Sequence, residues 1–295
     1  MKKRTIVALI VAVCLIISGG ILVVMGFSSA KEGIQTPVLT ERTVPLNDNF
    51  DYIAIVTTDC DVQLHLVQTW EEARVEFREF SQAKHTVAIQ DENLEIELTD
   101  HRKWFDKIGI FWEDMQIDLY LPYEQRYTHL FIKTDTGDIN LPPYIITESL
   151  NLYSDTGDIY TEVRANSVSV EANTGEVIVC ACDPNFVHVK TDTGNIVLSG
   201  LKGTGNYTIQ TDTGDMHVSD IKCGNIACES DTGDVHFWIV QAEETLKIVT
   251  GSGDVEVGNS EAQEVNIESS TGDITVPAAW EFQRIETGTG KIKFE

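Results

Sequence analysis

The chain has 295 residues and a formal net charge of −26, from 47 acidic and 21 basic side chains. That balance excludes a phosphate-backbone binder, which needs clustered Lys and Arg to displace counterions, so no nucleic-acid partner is expected. Six cysteines (Cys14, Cys60, Cys180, Cys182, Cys223 and Cys228) contain no CxxC pair and no dense framework, which excludes a disulfide scaffold and a zinc site.

Residues 1–4 form a basic tail with Lys2, Lys3 and Arg4, and an uncharged, mostly apolar run follows from Thr5 to Phe27. About 20 apolar residues span a bilayer as a helix, and flanking basic residues mark the cytoplasmic end. Residues 5–27 are therefore expected to be a single transmembrane helix in the cell membrane, with the rest of the chain extracytoplasmic. Ser28-Ser29-Ala30 offers a cleavage site to the rival reading, a signal peptide, but the apolar run is longer than the usual signal core. Residues 28–45 lack periodicity and read as a linker.

Residues 46–126 read as an all-β cap. Apolar and polar residues alternate in Tyr52–Val56, Val62–Leu66, Arg74–Phe77, Thr86–Ile89 and Leu94–Leu98, as in half-buried strands. Residues 101–114 break that pattern with Trp104, Phe105, Phe111 and Trp112. These rings are expected to plug the end of the core; a contact surface for membrane or partner is the alternative. Met115–Leu121 resumes a strand, which Pro122 ends.

From residue 127 to 295 one motif governs the chain. Thr134-Asp135-Thr136-Gly137-Asp138-Ile139 recurs around Gly157, Gly175, Gly194, Gly214, Gly233, Gly253, Gly272 and Gly290, at intervals of 18–20 residues. A fixed period of this size means stacked supersecondary units. Glycine is invariant among the units and always follows a hydroxyl residue, Thr eight times and Ser252 once. The pair reads as a corner: glycine supplies a positive φ or a close backbone approach, and the hydroxyl bonds a nearby backbone group. Apolar residues recur seven and five before the glycine, and two and four after it. Two short strands per unit follow, each with one face inward. The expected fold is an all-β parallel β-solenoid of about nine 18–20-residue coils. Gln283, Arg284, Lys291 and Lys293 make the last coil polar, which disfavours end-to-end growth.

Ile117–Pro122, then Leu130–Ile139, then the repeated Ser/Thr-Asp-Thr-Gly-Asp-Ile/Val corners resemble the bacterial DUF4097 family of candidate adhesins. The resemblance covers residues 45–295, and a membrane segment ahead of the repeats is common among its Firmicute members. It implies a surface-located β-solenoid and supplies no catalytic residues. Cys60 in place of glycine, and Gly251 and Gly288 in the corners, depart locally from the pattern.

The acidic columns beside each corner are the sharpest site candidates. Asp135, Asp155, Asp192, Asp212 and Asp231 stand two before the glycine; Asp138, Asp158, Asp215 and Asp234 stand just after it. Stacked neighbours about 5 Å apart repel by on the order of 1 kcal/mol even in water. Calcium, with six to eight oxygen ligands, is the one cofactor such columns suggest; solvated Asp residues forming Asx turns are the plainer reading. Asn173, Asn195 and Lys291 interrupt the columns. His217 and His236 share an outward position in successive coils and are expected to stack, a weak candidate for a metal pair. No nucleophile elbow, P-loop or dinucleotide fingerprint is present. The expected function is a non-catalytic adhesin-like or envelope-sensing module whose partner is an envelope protein or a glycan. A polymerising scaffold resembling the bactofilins and a glycan-active β-helix enzyme are the alternatives.

Overall fold

The computed structural model describes residues 38–101, 115–123, 125–180 and 183–295. The transmembrane expectation for Thr5–Phe27 and the aromatic plug at 102–114 lie outside these residues. Among the described residues no helix is long and apolar enough to cross a membrane, and the fold is all-β apart from two three-residue 3₁₀ turns.

The strands before the first full repeat are β1 (Leu39–Pro45), β2 (Tyr52–Val56), β3 (Cys60–Val67), β4 (Arg74–Phe80), β5 (Ala83–Gln90), β6 (Asn93–Asp100) and β7 (Met115–Pro122). Then come β8 (Arg126–Thr136), β9 (Ile139–Leu141), β10 (Ile146–Thr156), β11 (Ile159–Thr161), β12 (Arg164–Thr174), β13 (Val177–Cys180) and β14 (Phe186–Thr193). Over β8–β14 each Thr-Gly corner separates a longer strand from a short one. Long strands pair in parallel with long strands and short with short, so β8, β10, β12 and β14 form one ladder and β9, β11 and β13 another. Further on, the short and following long segments fuse into the continuous strands Met216–Thr232 and Val235–Ser252, which pair in parallel, and the alternation then resumes to Arg284–Thr289 and Ile292–Phe294.

Register follows the apolar columns. Leu152 lies opposite both Ile132 and Val170, and Val189 opposite Ile209. These five side chains are at most 2% exposed. A slip of one residue would turn each column to solvent, so burial alone specifies the pairing. The nine corners delimit eight complete turns, one fewer than the nine coils expected. Among the described residues the last corner leads into Ile292–Phe294, whose residues are all exposed.

The cap departs from a simple lid. β2 pairs in parallel with β6 and β8, and β3 with β7 and β9. The spatial order is therefore β6–β2–β8–β10 in one ladder and β7–β3–β9–β11 in the other: the chain lays down an inner layer first and the layer beyond it second. Antiparallel strands cover the far side, β5 on β6, β4 on β7 and β1 on β4. β1 occupies residues 39–45, the end of the stretch read as linker. Its apolar alternation is masked because Arg42 takes a packing position, with its guanidinium 4.3 Å from the centre of the Phe77 ring.

Candidate functional site

The corner is built from three columns of atoms. Its glycines have φ of 144–159°, a region L side chains rarely adopt. At Gly194 an added Cβ would lie 1.9 Å from the carbonyl oxygen of Gly175, so each turn rests on the backbone of the one before it. The Gly194 N–H in turn donates to the carbonyl of Thr213 at 2.9 Å. Below the first repeat corner, the Cys60 carbonyl occupies the equivalent place under Gly137, which makes Thr58–Val62 the degenerate corner its sequence suggests.

Among the described residues, the hydroxyls that reach this column stand three before the glycine, rather than immediately before it as expected. Ser154 donates to the Gly137 carbonyl at 3.2 Å, Thr211 to Gly194 at 3.3 Å, Ser269 to Gly253 at 3.3 Å and Thr287 to Gly272 at 2.9 Å. Ser154, Thr211 and Ser269 are buried, so the bond satisfies both a buried hydroxyl and a corner carbonyl. Ala172 breaks the column, and the Ser230 hydroxyl is buried without a partner. The sequence signal was present as a Ser/Thr column among otherwise apolar inward positions.

The acidic column after the glycine forms a ladder. The N–H of Asp158 donates to Asp138 Oδ1 at 2.8 Å, Asp234 N–H to Asp215 Oδ1 at 2.8 Å, and Asp254 N–H to Asp234 Oδ1 at 2.8 Å. Asp138 N–H donates to Asp61 at 2.9 Å, and Lys291 N–H closes the series on Asp273 at 2.8 Å. Asn195 Oδ1 accepts the Asp215 N–H at 3.0 Å, so an acceptor oxygen suffices and charge is not required. A hydrogen bond to a charged acceptor contributes roughly 1.5–3 kcal/mol, at the low end where exposed, against about 1 kcal/mol of repulsion between neighbours. The bond offsets the repulsion.

The column before the glycine is more varied. Asp155 accepts from the Tyr153 hydroxyl at 2.5 Å and from Asn173 Nδ2 at 2.8 Å, while Asp192 pairs with Lys190 at 3.0 Å. The Asp135 N–H donates to the Thr58 carbonyl, and the side chains of Asp212 and Asp231 are exposed. Among the described residues no group of three or more His, Cys, Asp or Glu side chains converges in a way that could hold a metal ion. His217 and His236 do stack, with ring centres 5.0 Å apart and planes 6° from parallel. Parallel rings aim their nitrogen lone pairs in parallel, whereas one metal requires them to converge at about 2 Å.

One polar cluster had no sequence signal. Thr57 is distant in sequence from Glu79 and His85, yet all three are at most 3% exposed. His85 Nδ1 lies 3.0 Å from Glu79 Oε2 and Nε2 lies 2.9 Å from Thr57 Oγ1. The neutral ring thus donates to the carboxylate and accepts from the hydroxyl. Arg42 Nε donates to Glu79 Oε1 at 2.8 Å and the His85 N–H to Oε2 at 2.8 Å. Burial alone would raise the Glu79 carboxyl, but these bonds outweigh it and hold the group below the ordinary carboxylate range. Burial pushes His85 down, against the pull of Glu79. The carboxylate–imidazole–hydroxyl order is that of a hydrolytic triad, yet buried hydroxyl and imidazole admit no substrate. The cluster joins β1, β4 and β5 to the turn after β2.

A family model described as Toastrack DUF4097 matches residues 50–210 and 184–292. No curated protein matches the sequence. Among solved structures, a candidate adhesin from Bacteroides fragilis is similar at 15% identity and a TM-score of 0.40, with 88% of this chain and 97% of that chain covered. A candidate adhesin from Parabacteroides distasonis is similar at 11% identity and a TM-score of 0.45, covering 88% and 98%. A candidate cell adhesion protein from Clostridium sporogenes is similar at 7% identity and a TM-score of 0.31, covering 87% and 99%.

Proposed function

This chain belongs to the Toastrack DUF4097 family, and on that premise we propose that it is a non-catalytic, adhesin-like module that presents its parallel sheets to an envelope partner. One observation carries the reading: the groups most suggestive of chemistry are absorbed by the scaffold. The corner carboxylates bond the amides of the next turn, and the buried Glu79–His85–Thr57 cluster packs the cap. Intervals of 18–20 residues between corners leave no long loop to overhang a face, and enzymes on repeat scaffolds build their sites in such departures. The basic tail and the apolar run Thr5–Phe27 support tethering to the cell membrane with the solenoid outside.

The test uses labelled full chain on isolated bacterial envelopes. Saturable retention with no release of soluble sugar products is the expected result. Product release that disappears when one or two carboxylates are replaced would establish an enzyme instead. Tethering predicts recovery in the membrane fraction and extraction by detergent but not by high salt; extraction by salt alone would overturn it.

A further inference from the structure

Across β8, β10, β12 and β14 the outward positions form a trough two strands wide. In β10 and β12 they are small and polar: Ser149 lies opposite Ser167, and Asn151 opposite Ser169. On one side β8 places His129 opposite Ser149 and Phe131 opposite Asn151. On the other, β14 places Phe186 opposite Ser167 and His188 opposite Ser169. Side chains stand roughly perpendicular to a sheet, so four rings wall a floor of hydroxyls and an amide. Three strand spacings set the two walls roughly 14 Å apart. Phe186 is 49% exposed, and the other seven side chains of the trough are half-buried.

Depressions lie at both ends of this trough, over the same three strands. One, of about 300 Å³, is lined by Phe131, Lys133, Asn151, Tyr153, Ser169 and Glu171. The other, of about 320 Å³, is lined by Arg126, Ile146 and Arg164 along one edge and by Tyr127, Thr147 and Ala165 in the adjacent column, with the carboxylates of Glu148 and Asp183 also at its rim. Ile146 lies opposite both arginines, one on each neighbouring strand. Neither guanidinium is in an ion pair among the described residues, in a chain with more than twice as many acidic as basic groups. The Tyr127 hydroxyl is buried without a hydrogen-bond partner.

We propose that the trough over β10 and β12 binds a linear acidic glycan. Pyranose C–H faces suit the electron-rich faces of aromatic walls. Asn151 Nδ2 is engaged with Ser149 Oγ at 3.1 Å and His129 Nε2 at 3.2 Å, so the match to sugar hydroxyls comes from the Asn151 carbonyl oxygen as acceptor and from the serine hydroxyls as donors and acceptors. The two unpaired guanidiniums, each a planar fork of donors, suit the acid group of a uronic sugar at that end. The alternatives fit less well: a polycation finds arginines in its path, and an apolar peptide finds a polar floor.

The inference rests on the envelope-binding reading, and its test separates the two. Full chain is titrated calorimetrically with tetragalacturonate and, in parallel, with neutral cellotetraose. Tetragalacturonate is expected to bind and cellotetraose to bind at least tenfold more weakly. Ser169→Trp, which fills the trough from its outward face, should abolish binding with thermal stability retained. Arg126→Ala with Arg164→Ala should remove the preference for the acidic ligand. Absence of tetragalacturonate binding at millimolar concentration, equal affinity for both sugars, or binding unaffected by Ser169→Trp in a folded protein would each overturn the proposal. Retention on envelopes by the wild type and by Ser169→Trp alike would sink the trough and leave the adhesin-like reading standing.

Discussion

At Asn195 an amide stands where other corners carry a carboxylate, and its Oδ1 accepts the next turn's N–H as they do. Asp234→Asn should therefore leave stability unchanged, or raise it at low ionic strength by removing a like-charge neighbour. Asp234→Ala, which deletes the acceptor, should cost about 1 kcal/mol by denaturant titration. For the same reason the melting temperature should not differ between millimolar calcium and chelator; an upward shift with calcium would show a bound ion, since a ligand of the native state must stabilise it. The hydroxyl column gives a second contrast. Thr211→Val should cost about 1 kcal/mol through the lost bond to the Gly194 carbonyl, whereas Ser230→Ala, which removes an unpartnered buried hydroxyl, should be neutral or stabilising in the same assay.

At the scale of elements, turn-to-turn contact through the glycine column leaves no room for a side chain. Gly194→Ala combines an unfavourable φ with a 1.9 Å clash against backbone, and should cost on the order of 3 kcal/mol or more in chemical unfolding. In the cap, pH acts through β4 and β5. His85 has its folded value depressed by burial, so the unfolded chain takes up a proton first as pH falls below about 6.5, and stability falls with it. Glu79, also depressed in the fold, keeps its contribution above the unfolded carboxylate value and loses it only at lower pH. The cap should thus weaken between pH 7 and 5, with a slope of at most one proton, about 1.4 kcal/mol per pH unit. His85→Gln should flatten the thermal stability profile in that window; an unchanged slope would exclude His85 as its source.

Over the whole molecule, periodicity and burial carried different amounts of information. The inward columns, the corner glycines and the parallel stacking were legible because each is repeated nine times, and a repeat reports on its own geometry. The stacking of His217 on His236 was legible for the same reason. The cap was less so: β2 and β6 show the same alternation whether they stack in parallel or lie antiparallel, and nothing local distinguishes an inner layer from an outer one. Linker and strand were confused over residues 39–45 because Arg42 packs through its guanidinium and leaves no apolar beat. The role of the corner hydroxyls was displaced by two residues, since spacing alone does not say which oxygen faces a carbonyl.

The amino-acid sequence by itself determined the class of fold, because a 19-residue apolar beat can bury its inward face only by stacking. It also determined where the nine repeat corners lie, because only glycine fits there. Tertiary structure decided what the polar residues do. Whether an aspartate chelates, repels or caps an amide depends on which backbone group the neighbouring turn places within about 3 Å, and turns stacked through space set that distance. The trough is of the same kind: its floor and walls come from four different turns, and only their register makes them one surface.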